Sequence, residues 1–209
     1  MNPKIIIADN GEPLVEIKKY CPKVVVRQYE KGGSSRIENL KVRKTVAKML
    51  DQAQSFLPLG VHLMVRDAWR PVAVQRQLFL NWRNRIQRLN PDWSAVKVNK
   101  VASNYAVPSE SKIPSGHLTG GAVDVTLCYN AKLRLPMKTK KVSFKEQTST
   151  KAYKKLPPKI AQNRKILYQA MSQAGFSNLS REWWHFSFGD WWWAKRTGAK
   201  KTHYDKIVK

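Results

Sequence analysis

The sequence is poor in cysteine and has no long apolar run, and each shortage excludes a class of protein. Its two cysteines, Cys21 and Cys128, lie far apart and form neither a disulfide framework nor a zinc-ribbon pattern. Any bound metal would therefore be held by nitrogen and oxygen ligands. No stretch approaches the roughly 20 apolar residues that cross a bilayer, and the first residues lack a signal-peptide pattern. We therefore expect a cytoplasmic protein without a transmembrane segment.

Acidic residues are also scarce, with 14 Asp and Glu against 39 Lys and Arg and a formal net charge of +25. Such a charge attracts anionic polymers such as nucleic acid, but it reports on association and not on fold or chemistry. The simpler interpretation is a set of solvated basic faces. The run from Asp190 to Arg196 contains three tryptophans that could stack on bases or sugar rings, although such clusters more often form core or pocket wall. The oligomeric state is not predicted.

Hydrophobic residues make up 42% of the 209 positions, which is enough for one buried core. No repeat or low-complexity run divides the chain, so we expect a single domain over residues 1–209, with a basic tail at about 195–209. Apolar residues at helical spacing predict amphipathic helices over residues 45–56 and 161–174, the second ended by Gly175.

Short β-prone runs alternate with these helices. Strands are predicted at residues 61–65, 122–127 and 183–188, the middle one half-buried because its apolar residues alternate. Residues 92–114 are expected to be mainly loop, and the lysine-rich residues 131–159 a surface excursion. Pro71 begins a helix that is expected to bury Leu78, Phe79, Trp82, Ile86 and Leu89. Together these elements predict an α+β domain with a small, mainly antiparallel sheet and flanking helices.

The four histidines differ in their surroundings. His62 lies in an apolar run and is interpreted as structural, whereas His203 lies in the basic tail and is expected to be solvated. His117 precedes a glycine-rich turn that leads into the strand bearing Asp124. Across such a turn a histidine and an aspartate seven residues apart can converge on one cation, and both are good zinc ligands.

His185 is the candidate for a third ligand, with Glu182 three residues before it. Positions i and i+3 of a regular strand face opposite ways, so Glu182 must lie in the turn before the strand, or the strand must bend. Two histidines and one aspartate leave one corner of a tetrahedral zinc site open, which is typical of catalytic sites. Spacing alone leaves both interpretations open, a metal site and a chance pattern.

Three motifs carry a family resemblance. The pattern S-x-H-x-x-G-x-A-x-D is matched by Ser115, His117, Gly120, Ala122 and Asp124; an E-x-W-H pattern by Glu182-Trp183-Trp184-His185; and a D-x-Y-R-P element by Asp67-Ala68-Trp69-Arg70-Pro71, with Trp for Tyr. The chain thereby resembles the D-alanyl-D-alanine dipeptidase and carboxypeptidase family of zinc peptidases, most closely the dipeptidase branch. The resemblance implies a D,D-peptidase/hedgehog-like zinc fold.

The resemblance also implies roles for individual residues. One zinc ion would be bound by His117, Asp124 and His185, with Glu182 as the general base and Arg70 stabilising the oxyanion. Ser115 would bind substrate, although a turn-capping role is equally compatible with its position. For Arg70 the alternative is a structural ion pair with Asp67 or another nearby carboxylate.

The implied activity is hydrolysis of D-Ala-D-Ala or another small D-amino-acid peptide. The dipeptidase branch carries an M-G-x-x-F-D segment, whose acid lies near the amino end of the substrate. Residues 137–143 of this chain lack that acid. The alternatives are therefore a D,D-carboxypeptidase or endopeptidase acting on peptidoglycan peptides, and a basic binding module on the same fold without turnover.

Overall fold

The computed structural model describes residues 5–27 and 40–208, in which helices pack around a small sheet. The strands are β1 Leu14–Glu16, β2 Val25–Val26, β3 Lys41–Arg43, β4 Val61–Asp67, β5 Ala122–Tyr129, β6 Leu133–Arg134, β7 Ser177–Asn178 and β8 His185–Ser187. The helices are α1 Ile17–Tyr20, α2 Lys44–Ser55, α3 Val72–Leu89, α4 Ala95–Ala102, α5 Gly116–Thr119, α6 Phe144–Thr148, α7 Pro158–Gln173 and α8 Trp191–Thr197, with a 3₁₀ helix at Thr150–Lys155.

The main sheet has the strand order β2-β4-β5-β8-β7, and β6 also pairs with β5. The β2–β4 pairing is parallel, and the other pairings in this sheet are antiparallel. The predicted α+β class with a small, mainly antiparallel sheet is therefore confirmed. The prediction that residues 122–127 are half-buried is wrong, since both faces of β5 are buried. One face packs into the core with α7, and the other carries polar residues beneath α5.

The core lies between the sheet and the two helices predicted from periodicity. On α2, Leu50 and Val46 are fully buried, and on α7 Leu167 and Met171 are fully buried as well. These side chains join β4 and β5 residues in one apolar cluster. Gly175 follows α7 with φ +93, the left-handed conformation expected of a glycine at a helix C-terminus.

Helices α3 and α4 form a smaller satellite cluster around Ile86. The expectation that residues 92–114 are mainly loop misses α4, which begins after Ser94, whose hydroxyl accepts from Lys97 N. Because α4 covers only the face of α3 that carries Ile86, the prediction that Leu89 is buried is wrong, and this side chain is 71% exposed. Phe79 and Trp82 are partly buried against the satellite cluster, and Leu78 is half-buried.

The lysine-rich residues 131–159 contain β6, α6 and the 3₁₀ helix, and they are tied to α7. The buried Arg164 of α7 donates to the carbonyl oxygens of Met137 and Gln147, at 2.8 and 2.6 Å. The predicted basic tail at 195–209 begins inside α8, and its residues Thr202 and Tyr204 are buried. His203 is exposed, as expected, but its ring stacks on the ring of Phe188, with 5.3 Å between the two ring centres.

Within the described residues, no helix is both long and apolar enough to span a membrane. Cys21 and Cys128 are both buried free thiols. Burial raises the pKa of the Cys21 thiol to about 12, and this thiol donates to the carbonyl oxygen of Ala47. The interpretation of residues 1–209 as a single domain stays a prediction.

Replacement of Leu50 by Ala tests the core described above. Because Leu50 is fully buried between α2 and the sheet, we expect Leu50→Ala to lower the free energy of unfolding by about 2–5 kcal/mol, measured by urea denaturation. Leu59→Ala is the matched control, since Leu59 is fully exposed, and its change should stay within about 0.5 kcal/mol. Equal losses in both variants would contradict this placement of the core.

Candidate active site

Strand pairing brings two of the candidate ligands face to face. In the antiparallel register of β5 and β8, Asp124 lies directly opposite His185. The Nδ1 atom of His185 is 3.0 Å from the Oδ1 atom of Asp124. Both residues are buried, with exposed fractions of 7% for Asp124 and 9% for His185. The pair therefore depends on sheet register, which a slip of one residue would destroy.

His117 reaches the same point from the one-turn helix α5. The turn closes at Gly120, whose φ of +73 is left-handed, and the chain then enters β5. The Nδ1 atom of His117 lies 2.7 Å from the carbonyl oxygen of Ala68. A carbonyl oxygen only accepts hydrogen bonds, so this contact places the ring proton on Nδ1 and leaves the Nε2 lone pair for a ligand. Nε2 lies 3.5 Å from Asp124 Oδ1.

The donor set of the three residues fits a metal ion. One nitrogen of His117, one of His185 and one oxygen of Asp124 lie within 4.8 Å of one another. Two imidazoles and a carboxylate are a ligand set that suits zinc. Cys21 and Cys128 lie outside this group, in agreement with the expectation of nitrogen and oxygen ligands.

Electrostatics also favour a cation between these residues. Burial disfavours the charged form of Asp124. The hydrogen bonds and charge interactions of His117 and His185 with the carboxylate outweigh this effect and hold the pKa of the Asp124 carboxyl far below its usual range. Burial opposes the charged form of His185 too, yet Asp124, Glu182 and Asp190 raise its pKa. The Asp124 carboxylate and the protonated His185 ring therefore stabilise each other, and a bound metal ion would take the place of that ring proton as the positive partner of Asp124.

Glu182 lies in the turn that precedes β8, one of the two arrangements that the sequence allowed. Its backbone nitrogen donates to the carbonyl oxygen of Leu179 at 2.8 Å, and its own carbonyl oxygen accepts from His185 N at 3.1 Å. Its side chain is 27% exposed and lines the same cavity as the three ligand residues. Arg181 approaches it only loosely, with Nε 3.8 Å from Oε1.

Arg70 enters the cavity just after β4. A bulge between Val65 and Asp67 shifts the β4 register and places Asp67 opposite Asp124. Nε and Nη2 of Arg70 both donate to Asp67 Oδ2, and Nη1 donates to Gln75 Oε1 at 3.0 Å. The ion pair with Asp67 is therefore present. It also holds the guanidinium in the wall of the cavity that contains the ligand residues.

Ser115 and Gly116 form the start of α5. Ser115 is 8% exposed and sits at the N-cap position, but its side chain makes no capping hydrogen bond. Ser115 also lines the cavity, and its role in binding substrate stays a prediction. A Cβ atom on Gly116 would lie 2.1 Å from Asp190 Oδ2 and 2.8 Å from Ala122 Cβ, so only glycine fits.

The cavity that these residues share has a volume of about 620 Å³. Its walls combine aromatic rings with arginines, and sequence reasoning missed several of them because they come from distant segments without local motifs. The additional lining residues are Gln75, Trp82, Tyr105, Phe144, Trp192 and Arg196. Trp192 belongs to the tryptophan run of residues 190–196. Because it lines the cavity, it forms part of the pocket wall, one of the interpretations given for that run. His62 is absent from the wall, and its Nδ1 lies 3.0 Å from Lys23 O.

The chain is similar to known proteins along most of its length. The family model described as D-ala-D-ala dipeptidase matches residues 34–207. A D-alanyl-D-alanine dipeptidase of Synechocystis sp. is 29% identical, over 98% of this chain and 93% of the relative. One of Enterococcus faecalis is 26% identical, over 70% and 72%. The solved LdcB LD-carboxypeptidase aligns over 94% of this chain and 79% of its own, at 19% identity and a TM-score of 0.46.

Loss of one ligand side chain should abolish tight metal binding. We expect His117→Ala to purify with much less than one zinc per chain, because two ligands hold the ion far more weakly than three, with metal content measured by plasma mass spectrometry. His62→Ala is the control and should keep the metal content of the unmodified protein. Undiminished zinc in His117→Ala would show that the ion is bound elsewhere.

Proposed function

The chain belongs to the D-ala-D-ala dipeptidase family, and from that premise we propose that it is a zinc metallopeptidase hydrolysing D-Ala-D-Ala or a closely related small D-amino-acid peptide. The observation that carries this proposal is the buried group of His117, Asp124 and His185. Glu182 and Arg70 line the same cavity as this group, which supplies both an acceptor for protons and a permanent cation beside the metal ligands.

The three ligand residues would hold one zinc ion, His117 through Nε2. When bound, zinc supplies a Lewis acid that lowers the pKa of water and polarises a carbonyl group. The contact between His117 Nδ1 and Ala68 O fixes the ring orientation and tautomer that this role requires.

Glu182 would act as the general base. Its carboxylate lines the cavity on the turn that leads directly into His185, so it is close to the metal ligands without being one of them. It would take the proton from the attacking water and deliver it to the leaving amine. Its partial exposure keeps a path for proton exchange with solvent.

Arg70 would stabilise the negative charge that develops on the carbonyl oxygen. A guanidinium stays charged at any physiological pH, and Asp67 and Gln75 hold this one in place before substrate arrives. Preorganised charge of this kind lowers the barrier because it need not reorient during the reaction. A binding module without turnover needs neither Arg70 nor Glu182 in this cavity, which disfavours that alternative.

A carboxypeptidase acting on longer peptides is the second candidate. Residues 137–143 carry no acidic side chain, and Lys138 Nζ lies 5.2 Å from the centre of the Trp184 ring, which lines the cavity. A cation at this place is unfavourable for a substrate with a free ammonium group. A peptide whose amino end is acylated avoids that repulsion. The cytoplasmic location and an anionic polymer as partner stay predictions.

A substrate panel tests the proposal. We expect zinc-loaded protein to release D-alanine from D-Ala-D-Ala or from an N-acylated D-Ala-D-Ala peptide, and to leave the L-Ala-L-Ala dipeptide intact. A chelator should abolish release and added zinc should restore it, as measured by a coupled D-alanine assay. Faster cleavage of the acylated peptide would favour the second candidate. Cleavage of neither substrate would overturn the proposal.

Replacement of Glu182 by Gln separates proton transfer from metal binding. We expect Glu182→Gln to lower kcat by roughly a hundredfold to ten-thousandfold while zinc content stays at the level of the unmodified protein, because the amide fills the same space but accepts no proton. Glu110→Gln is the control, since this exposed carboxylate pairs with Arg76 on the surface. A Glu182→Gln variant with full activity would exclude Glu182 as the base.

A further inference from the structure

Arg196 lies in the cavity wall, on α8 and beyond the motifs that carry the family resemblance. Two serines on neighbouring strands hold its guanidinium. Nε and Nη2 donate to Ser177 Oγ at 3.1 and 2.9 Å, and Nη2 also donates to Ser187 Oγ at 2.7 Å. Since β7 pairs with β8, both anchors belong to the same sheet that positions His185.

The positive charge of Arg196 is balanced only indirectly. Ser187 Oγ donates to Asp190 Oδ1 at 3.0 Å, so a chain of hydrogen bonds links Arg196 to this fully buried carboxylate. Burial lowers the pKa of the Arg196 guanidinium, while the charge of Asp190 opposes that change. Within the described residues, Arg196 makes no direct ion pair with a carboxylate. A side chain that served only to neutralise Asp190 would be expected to contact it.

The third nitrogen of the guanidinium is available to a ligand. Nη1 of Arg196 makes no hydrogen bond to any residue of 5–27 or 40–208, and the residue lines the cavity. The two other arginines of the cavity are placed differently. Arg70 is committed to Asp67 and Gln75, and the side chain of Arg181 is 55% exposed and loosely paired with Glu182.

The position of Arg196 matches one part of a peptide substrate. Ser187, which anchors Arg196, lies two residues after His185 on β8. The side chains of His185 and Ser187 therefore point to the same face of the strand, roughly 7 Å apart. The α-carboxylate of a C-terminal residue lies about one residue length, roughly 4 Å, beyond the scissile carbonyl group. Arg196 is anchored two residues along the strand from a metal ligand and lines the same cavity as that ligand, a separation of the same order as one substrate residue beyond the metal.

Resting on the proposed peptidase function, we propose that Arg196 binds the free α-carboxylate of the substrate's C-terminal residue and thereby determines specificity. A guanidinium is suited to this role, because it forms charge-assisted hydrogen bonds to carboxylates in a fixed geometry. The Ser177 and Ser187 hydroxyls orient the fork in advance. This contact selects peptides that end one residue after the cleaved bond, as in a dipeptidase or carboxypeptidase, and selects against an endopeptidase.

The test compares a free C-terminal acid with its amide in four proteins. D-Ala-D-Ala and D-Ala-D-alaninamide, together with their N-acetylated forms, are assayed with the unmodified protein, Arg196→Gln, Arg196→Lys and the control Lys195→Gln. Lys195 lies next to Arg196 on α8, is exposed and is absent from the cavity wall. For Arg196→Gln we expect kcat/KM on the acids to fall roughly tenfold to a hundredfold, mainly through KM, and to stay unchanged on the amides. Arg196→Lys should recover part of the loss.

Equal losses on acid and amide, or an equal loss in Lys195→Gln, would overturn the role of Arg196. A binding measurement keeps this result separate from the proposed peptidase function. N-acetyl-D-alanine and N-acetyl-D-alaninamide are titrated by calorimetry into the zinc-loaded proteins, with thermal unfolding to verify folding. If no peptide is cleaved, weaker binding of the acid alone to Arg196→Gln still supports the subsite, whereas unchanged binding excludes it. Should Arg196→Gln not fold, Ser177→Ala, which loosens the guanidinium, must raise KM for the acids alone.

Discussion

The site depends on one cross-strand pair, Asp124 opposite His185. The antiparallel register of β5 and β8 sets this pair, and β5 is the strand through which most of the sheet is connected. The same strand starts at the turn that carries His117, and its pairing with β4 places the bulge before Arg70. A buried carboxylate between two imidazoles is unfavourable unless their charges are matched, so sheet pairing, protonation and metal binding are coupled at this point.

The sequence was most informative where a local pattern and a local structure coincide. Helices α2 and α7 were predicted from apolar spacing, and the turn that holds Glu182 is one of the two arrangements allowed by the opposite orientation of positions i and i+3 in a strand, the other being a bent strand. Leu89 was placed in the core because it continues the apolar stripe of α3. The stripe is real, but α4 packs only against the face of α3 that carries Ile86, and no local pattern reports which face a partner helix will cover.

Residues that reach the cavity from outside the motifs could not be predicted from the sequence. Arg196, Trp192 and Gln75 reach the cavity through α8 and α3, and none has a fixed spacing from the metal ligands. Similarly, the burial of both faces of β5 reflects what packs above the strand and not the residues within it. The high content of arginine and lysine predicts solvated basic faces, but it does not predict that Arg196 lies in the cavity wall, where it donates to two serine hydroxyls.

The fit between Gly116 and Asp190 has a consequence for sequence variation. The carboxylate of Asp190 fills the space where any larger residue at position 116 would place its first side-chain carbon. Among natural relatives, a side chain at position 116 is therefore expected only where position 190 carries a smaller or differently directed residue and the start of β5 at Ala122 is displaced, because both would contact the added carbon. Loss of the Asp190 carboxylate would also remove the hydrogen-bond acceptor of the Ser187 hydroxyl, so an exchange at position 190 would change how Arg196 is held.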